Sequence, residues 1–160
     1  MEVEGLEKRG FVDMATENVS DEESLPPLPE ITEETRPFWD SCKEGVLRLQ
    51  RCSDCSEFRF PFSVACPNCL SMSFRWEPVS GRGSIFSFVT FQRLYHKAFA
   101  SLLPYMVAVV ELSEGPRLVS RLAAIKETDS VRCGAPVKVR FEQLGDDLVL
   151  PLFELVGEQG

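Results

Sequence analysis

Two Cys-x-x-Cys pairs, Cys52/Cys55 and Cys66/Cys69, are separated by ten residues in this chain. Each such turn can direct two sulfurs at one point, and the hairpin between the pairs can bring the second pair opposite the first. The spacing therefore predicts one tetrahedral metal site with four thiolate ligands. Zinc is the predicted metal because it is the commonest occupant of four-sulfur tetrahedra, although an iron centre of the rubredoxin kind uses the same ligands and stays open.

A metal with four protein ligands has no position left for water or substrate, so the site is predicted to fold the chain rather than to do chemistry. In small zinc modules the metal contributes on the order of 10 kcal/mol to folding. A disulfide framework is typical of short secreted chains, whereas this chain has 160 residues, six cysteines and no secretory signal pattern at its start. The remaining thiols, Cys42 and Cys133, are predicted to be buried or half-buried and not nucleophilic.

The bulk composition bounds the organisation of the chain. At 18.0 kDa, with 44% apolar residues, it has room for one domain or for a small metal module joined to a domain of about 80 residues. No apolar run approaches the roughly 20 residues that cross a bilayer. We therefore predict a cytoplasmic protein with no membrane partner, in a reducing compartment that suits metal thiolates.

The formal net charge of −8 is concentrated near the N-terminus. Residues 1–36 contain eleven acids and three bases, while residues 37–160 contain fourteen of each. A nucleic-acid binder needs a basic stripe to neutralise phosphates, so the neutral remainder argues against DNA or RNA as a partner. Residues 1–29 are predicted to be a disordered acidic tail and a proline-rich connector, with a docking strap for a partner as the open alternative.

A short helix is predicted over residues 30–45. Thr32 is a suitable N-cap, and Phe38 and Trp39 provide an apolar face for packing. Pro37 lies about one turn inside this segment, and its missing N–H favours a later start of the helix, nearer Thr35.

The zinc ribbon is predicted to occupy residues 46–78. Val46–Arg51 alternates apolar and polar residues, as a strand that leads into Cys52 should. The aromatic loop Phe58–Phe62 between the two cysteine pairs is predicted to shield the sulfurs and to pack on the neighbouring module. Trp76 is predicted to be buried where the chain leaves the ribbon.

Residues 79–156 have a β pattern throughout. Five strand-like runs are separated by turn signals: Ile85–Phe91, Tyr105–Leu112, Arg117–Ala123, Pro136–Leu144 and Leu148–Val156. Five strands fit a small barrel with the oligonucleotide/oligosaccharide-binding (OB) fold, whereas a sandwich needs about seven. The Gly81–Gly83 turn is predicted to be a bend or bulge. The predicted fold is mainly β, with an N-terminal helix, a rubredoxin-like zinc ribbon and a five-stranded OB-fold barrel.

The irregular segment Gln92–Pro104 is the best candidate for a ligand or partner loop within the barrel. It combines cations and aromatic rings, namely Arg93, Tyr95, His96, Lys97 and Phe99. Such a mixture suits an anionic, partly apolar ligand or another subunit. No cysteine or carboxylate is paired with His96 in the sequence, so no catalytic set is predicted.

Several short motifs, taken in order, resemble one family. They are the Phe38-Trp39 helix, Leu47–Cys52, the four-cysteine knuckle, Trp76 with Ser80–Ser84, Pro104-Tyr105 and Gly134–Val139. Members of that family are small proteins in which a rubredoxin-like zinc ribbon precedes an acyl-CoA-associated OB-fold domain, and the resemblance covers residues 30–156. The stretch Phe60-Pro61-Phe62 departs from the family pattern, in which an arginine often follows the proline, so no anion contact is implied for that loop.

The resemblance implies a non-catalytic accessory subunit in a hetero-oligomer. Members of the family stand beside thiolase-superfamily enzymes, including sterol-carrier-protein-type thiolases and retro-aldolases of steroid side-chain breakdown, or beside MaoC-like enoyl-CoA hydratases. There they stabilise the partner and help to place the CoA thioester at the shared interface. The metal ligands that carry over are Cys52, Cys55, Cys66 and Cys69, and no catalytic residue carries over.

Two rival hypotheses remain open from the sequence. One is a single-stranded nucleic-acid binder built on the same OB fold, which the missing basic stripe disfavours. The other is a free-standing enzyme that acts on acyl-CoA and depends on His96.

Overall fold

The computed structural model describes residues 26–125 and 131–157. The predicted acidic tail lies outside the described residues, except for its last segment, 26–29, which belongs to no helix or strand. Pro26 and Leu28 in that segment lie beside the turn at Leu144–Leu148.

Helix α1 spans Arg36–Lys43 and is shorter than the predicted segment. Its N-cap residue is Thr35 and not Thr32, so the later start that Pro37 favours is the one observed. Pro37 explains the difference, because a helix that started after Thr32 would need its missing N–H and would push its ring against the preceding turn. Thr32 instead closes the turn before the helix, where its carbonyl accepts a hydrogen bond from the Arg36 N–H at 2.9 Å.

The ribbon is a three-stranded antiparallel sheet with β1 in the centre. Its strands are β1 (Arg48–Cys52), β2 (Phe58–Arg59) and β3 (Phe74–Pro78). Residues 74–78, where the chain was predicted to leave the ribbon, form its edge strand and pair with the whole of β1. Trp76 on β3 is half-buried and pairs with Gln50 on β1.

The second sheet has five strands in the order β6-β5-β4-β7-β8. They are β4 (Arg82–Phe91), β5 (Tyr105–Leu112), β6 (Arg117–Arg121), β7 (Pro136–Leu144) and β8 (Leu148–Leu155). A parallel bridge between Leu122 and Phe153 brings the two edges together. The sheet is therefore a nearly closed OB-fold barrel, which confirms the predicted fold class.

The barrel and the helix share one apolar core. Along β5 the side chains alternate between half-buried and fully buried, as a strand with one face on a core requires. Phe153 and Val110 are completely buried inside the barrel, and the same cluster includes Phe38 of α1 and Leu49 of β1. The core thus continues from the barrel into the base of the ribbon.

The glycine turn before the barrel is a site of close backbone approach. A Cβ at Gly83 would meet the carbonyl oxygen of Glu111, and a Cβ at Gly81 would meet the side chain of Val139. A β-bulge follows between Ile85 and Ser87. The bulge predicted at Gly81–Gly83 therefore lies further along β4, because Gly83 itself pairs with Leu112 on β5 and with Val137 on β7.

The two cysteines outside the knuckle differ in exposure. Cys42 is 1% exposed, and burial raises the pKa of its thiol to about 12, so it is a packing residue. Cys133 is exposed, which contradicts the prediction of a buried or half-buried thiol. It precedes Gly134 in the turn that leads into β7, where the backbone directs side chains outward.

Helix α1 has eight residues, and none of the helices in the described ranges has the length and apolarity needed to cross a membrane.

Candidate functional site

The four knuckle cysteines come together in space. Their sulfurs all lie within 4.8 Å of one another, with Cys52 Sγ 3.5 Å from Cys69 Sγ and Cys55 Sγ 3.6 Å from Cys66 Sγ. Among the described residues, no histidine or carboxylate joins this group. Four soft donors converging on one point fit a tetrahedral zinc site with no open position.

The two halves of the knuckle have the same backbone geometry. The Ser56 N–H donates to the Cys52 carbonyl at 3.1 Å, and the Leu70 N–H donates to the Cys66 carbonyl at 2.9 Å. Ser56 and Leu70 both adopt the left-handed conformation, with φ of 63° and 62°. The two turns therefore present their sulfurs to a common centre in equivalent ways.

Backbone amides also stabilise the thiolate form of the inner cysteines. The N–H groups of Cys55 and Asp54 point at the Cys52 sulfur and lower the pKa of that thiol to about 6. The N–H groups of Cys69 and Asn68 lower the pKa of Cys66 in the same way. The backbone thus favours the metal-binding thiolate at two of the four cysteines, whereas burial and the neighbouring sulfurs raise the pKa of Cys69 to about 12.

The aromatic loop of the ribbon packs on the helix, as the sequence predicted. The Phe38 ring of α1 lies 6.0 Å from the Phe60 ring and 5.1 Å from the Phe62 ring, measured between centroids. Phe62 also lies 5.1 Å from Trp76. These contacts fix the ribbon against the helix and so against the barrel. Shielding of the sulfurs by this loop stays a prediction.

Arg59 in that loop is a buried cation that sequence reasoning missed. It is 4% exposed, its Nε donates to Gln50 Oε1 at 2.8 Å, and its guanidinium lies over the Phe74 ring at 4.8 Å. Its two terminal nitrogens have no hydrogen-bond partner among the residues that the structure describes. Its alternation with Phe58 and Phe60 was a weak signal that its side chain lies on the opposite face from theirs.

The predicted ligand or partner loop contains a 3₁₀ helix, Lys97–Leu102, and is therefore more ordered than predicted. His96 caps it, because its Nδ1 accepts a hydrogen bond from the Ala98 N–H at 3.2 Å. Arg93, Tyr95 and Lys97 are exposed, and Tyr95 is 74% exposed. His96 thus has a structural role within its own loop.

Phe99, the last predicted residue of this loop, turns inward. Its ring lies 5.7 Å from Tyr105 on β5, and both rings line a groove of about 460 Å³. We call this the apolar groove. Its walls come from α1, the aromatic loop of the ribbon and the outer face of β5, β6 and β8, and include Trp39, Phe60, Phe62, Phe99, Tyr105 and Val119.

The polar side chains in the floor of the apolar groove are already paired. Ser120 Oγ donates to the Pro151 carbonyl at 2.7 Å, and Arg121 forms an ion pair with Glu142 at 2.6 Å. In OB folds this face, formed by the second and third strands and the loop between the first two, is the usual ligand surface. Here it is apolar and carries no nucleophile beside a base.

Two family profiles match the chain in the order of its modules. The ChsH2 rubredoxin-like zinc ribbon domain matches residues 39–75, and the ChsH2 C-terminal OB-fold domain matches residues 76–142. A solved structure of an Ltp2-ChsH2(DUF35) aldolase contains a chain that is 33% identical, with a TM-score of 0.73 and coverage of 80% of this chain and 98% of that one. The chain belongs to the DUF35/ChsH2 family. The predictions of family, fold class and structural zinc are confirmed.

The relatives of this DUF35/ChsH2 chain carry several functional names. The probable enoyl-CoA hydratase alpha subunit of Thermomonospora curvata is 36% identical over 81% of this chain and 40% of its own length. The benzoylsuccinyl-CoA thiolase subunit BbsA of Geobacter metallireducens is 30% identical over 79% of this chain and 84% of its own length. A DUF35 domain-containing scaffold protein of Methanocaldococcus jannaschii is 30% identical, with 68% and 77% covered.

These DUF35/ChsH2 relatives differ in how much of their own length this chain matches. This chain spans 40% and 37% of the length of two hydratase alpha subunits that it matches. It spans most of the thiolase subunit and of the scaffold protein.

Proposed function

We propose that this protein is a non-catalytic accessory subunit of an acyl-CoA-processing complex. The partner would be a thiolase-superfamily thiolase or retro-aldolase, which the subunit stabilises while it helps to position the CoA thioester. The observation that carries the proposal is the ligand face of the OB fold, where the apolar groove offers binding surface but no acid, base or nucleophile set up to react.

The zinc site would act as a structural clamp for this binding surface. Cys52, Cys55, Cys66 and Cys69 would hold the metal, and with four protein ligands it would have no position for substrate. The clamp supports the ribbon, residues 46–78, and so keeps its aromatic loop against α1. The ribbon forms one wall of the groove, beside the OB-fold domain, residues 79–156. The position of that wall would then depend on zinc.

The exposed cations of the loop would contact the anionic part of CoA or the partner subunit. Arg93 and Lys97 are exposed on the loop that also places Phe99 in the groove wall. Cations beside an apolar groove suit a ligand with phosphates at one end and an acyl group at the other.

The choice of partner rests on the relatives. The thiolase subunit and the scaffold protein match this chain over most of their length, and the aldolase structure pairs a similar chain with a partner enzyme. We further propose a role in cytoplasmic lipid or steroid side-chain degradation, which is supported by the 33% identity to a 3-oxo-4,17-pregnadiene-20-carboxyl-CoA hydratase alpha subunit of Mycobacterium tuberculosis. A MaoC-like enoyl-CoA hydratase is the second candidate partner, favoured by the 36% identity to a hydratase alpha subunit.

Co-expression with candidate partners tests this proposal. We expect the protein to co-elute with a thiolase-like or aldolase partner and to raise its yield and thioester turnover, while the protein alone turns over no acyl-CoA. Elution alone, with partner activity unaffected, would refute the accessory role. Turnover by the isolated protein that is lost in His96→Ala would support the free-standing enzyme instead. A salt-dependent gel shift with single-stranded DNA would support the nucleic-acid alternative.

A further inference from the structure

We infer that the apolar groove binds the uncharged, bulky apolar part of an acyl chain, while the charged nucleotide of CoA stays outside it. This inference rests on the proposed function, because it names the part of the thioester that the subunit would hold. It assigns a ligand to a surface that three separate segments of the chain build together.

The shape of the groove suits a small molecule. Its volume of about 460 Å³ lies within the range of small-molecule sites. Trp39 closes it from the helix, Phe60 and Phe62 from the ribbon, and Tyr105 from the barrel. A concave site with aromatic walls on several sides encloses a compact apolar group better than a flat protein surface does.

The charge distribution excludes an anion from the groove floor. Arg121 is neutralised by Glu142 at 2.6 Å, and the Ser120 hydroxyl is committed to the Pro151 carbonyl. A phosphate placed there would lose its hydration without gaining a free cation. An apolar group would lose nothing and would cover the aromatic walls.

The cations that could hold the phosphates lie on the adjoining loop. Lys97 and Phe99 belong to the same 3₁₀ helix, yet Phe99 lines the groove while Lys97 is exposed. Arg93 and Lys97 form no ion pair with residues of the described ranges. The loop therefore has an apolar side, which faces the groove, and an exposed cationic side. The thioester would lie across the loop, with its acyl group in the groove and its phosphates beside the cations.

The two tryptophans of the chain allow a direct test. Trp39 lines the groove, whereas Trp76 lies on β3 outside its lining. The full zinc-loaded chain is titrated with uncharged N-acetylcysteamine thioesters of decanoic acid and of a polycyclic acid, and tryptophan fluorescence is recorded. We expect a saturable change that Trp39→Phe abolishes and Trp76→Phe retains, with the polycyclic thioester binding more tightly.

A matched pair of surface variants locates the binding site. Val119 lines the groove and is 69% exposed, while Val89 is 50% exposed on the same sheet and lies outside the lining. Placing a charge in an apolar wall should weaken binding, so we expect Val119→Glu to raise the Kd roughly tenfold and Val89→Glu to change it less than about twofold. Neither valine is buried, so both variants should keep the fold.

Three results would overturn the inference. The first is the absence of saturable binding. The second is an equal response to free CoA, which would place the nucleotide in the groove. The third is complete loss of thioester binding when the partner enzyme is added, which would make the groove a protein interface. Because the first two results come from the isolated chain, they are independent of co-elution with the partner. A subunit that supports its partner but fails this titration would refute the inference alone.

Discussion

The ribbon and the barrel are two adjoining β structures that are held together by different forces. The ribbon strands have 5, 2 and 5 residues, whereas the barrel strands have between 5 and 10. The barrel closes around buried apolar side chains such as Val110 and Phe153. The ribbon is too small for a comparable core, so a metal cross-link has to replace it.

Their interiors differ in polarity as well. In the part of the chain that the structure describes, the buried polar or charged side chains are Ser41, Gln50 and Arg59, and none belongs to the barrel. The buried guanidinium of Arg59 is accommodated by its hydrogen bond to Gln50 and by the ring of Phe74. Loss of metal should therefore unfold the ribbon and leave the barrel folded.

The largest expected effect follows from removing a knuckle ligand. Cys66→Ser, at a position that is 0% exposed, should abolish stoichiometric zinc and remove on the order of 10 kcal/mol of metal-dependent folding from the ribbon. Hydrogen exchange should then show rapid exchange in β1–β3 and continued protection in β4, β5 and β7. Metal content by mass spectrometry gives the stoichiometry.

Cys133→Ser is the control for the ligand variant. Cys133 is exposed and far in sequence from the knuckle, so this variant should bind zinc like the wild type. If the barrel of Cys66→Ser also lost its protection from hydrogen exchange, the ribbon and the barrel would fold as one unit and not independently.

The converse experiment weakens the barrel core. Phe153 is 0% exposed, and Phe153→Ala should cost about 3–5 kcal/mol in the free energy of unfolding because it leaves a cavity that the strands fill poorly. Denaturant unfolding followed by circular dichroism measures the loss. Phe86→Ala, at a side chain 48% exposed, should cost much less, and an equal cost would contradict the assigned core.

Acid should affect the two modules at different pH. The pKa of Cys52 is lowered from 9.0 to about 6, so the folded knuckle favours the thiolate, and this stabilisation is complete above pH 9 and is lost as the pH falls through about 6. In the zinc-loaded protein, zinc release and hydrogen exchange in β1 should therefore rise together as the pH falls through about 6, with the released zinc measured by a chromogenic indicator. Unchanged exchange in β1 across this interval would contradict the role of the amide–sulfur bonds.

The smallest expected effect concerns a surface ion-pair network on the barrel. The carboxylate of Glu154 accepts from Lys138 at 3.1 Å and Arg140 at 3.4 Å, and these cations lower its pKa. Because the cations are about half exposed, Glu154→Gln should lower the Tm by no more than about 2 °C. A clearly larger fall would mean that charge pairing, and not only the core, holds β7 to β8.

Much of this architecture could be predicted because the signals are local. Tyr105–Leu112 and Pro136–Leu144 were predicted with the bounds that the structure has, since alternation and flanking turn residues mark both ends of these strands. The start of α1 was drawn at Thr32 with Thr35 left open, because two threonines compete as caps and Pro37 decides for the second. The third ribbon strand was missed because its partner β1 is more than twenty residues away in sequence.

By itself, the sequence determined the ligand set of the metal, the number of barrel strands and the placement of cations and rings in one loop, since each depends on residue type and short spacing. Only the tertiary structure decided that Arg59 is buried, that His96 caps its own loop and that Trp39, Phe62, Phe99 and Val119 line one groove. The contacts that only the tertiary structure decided join segments that are far apart in the chain, and their geometry arises from the packing of the whole core.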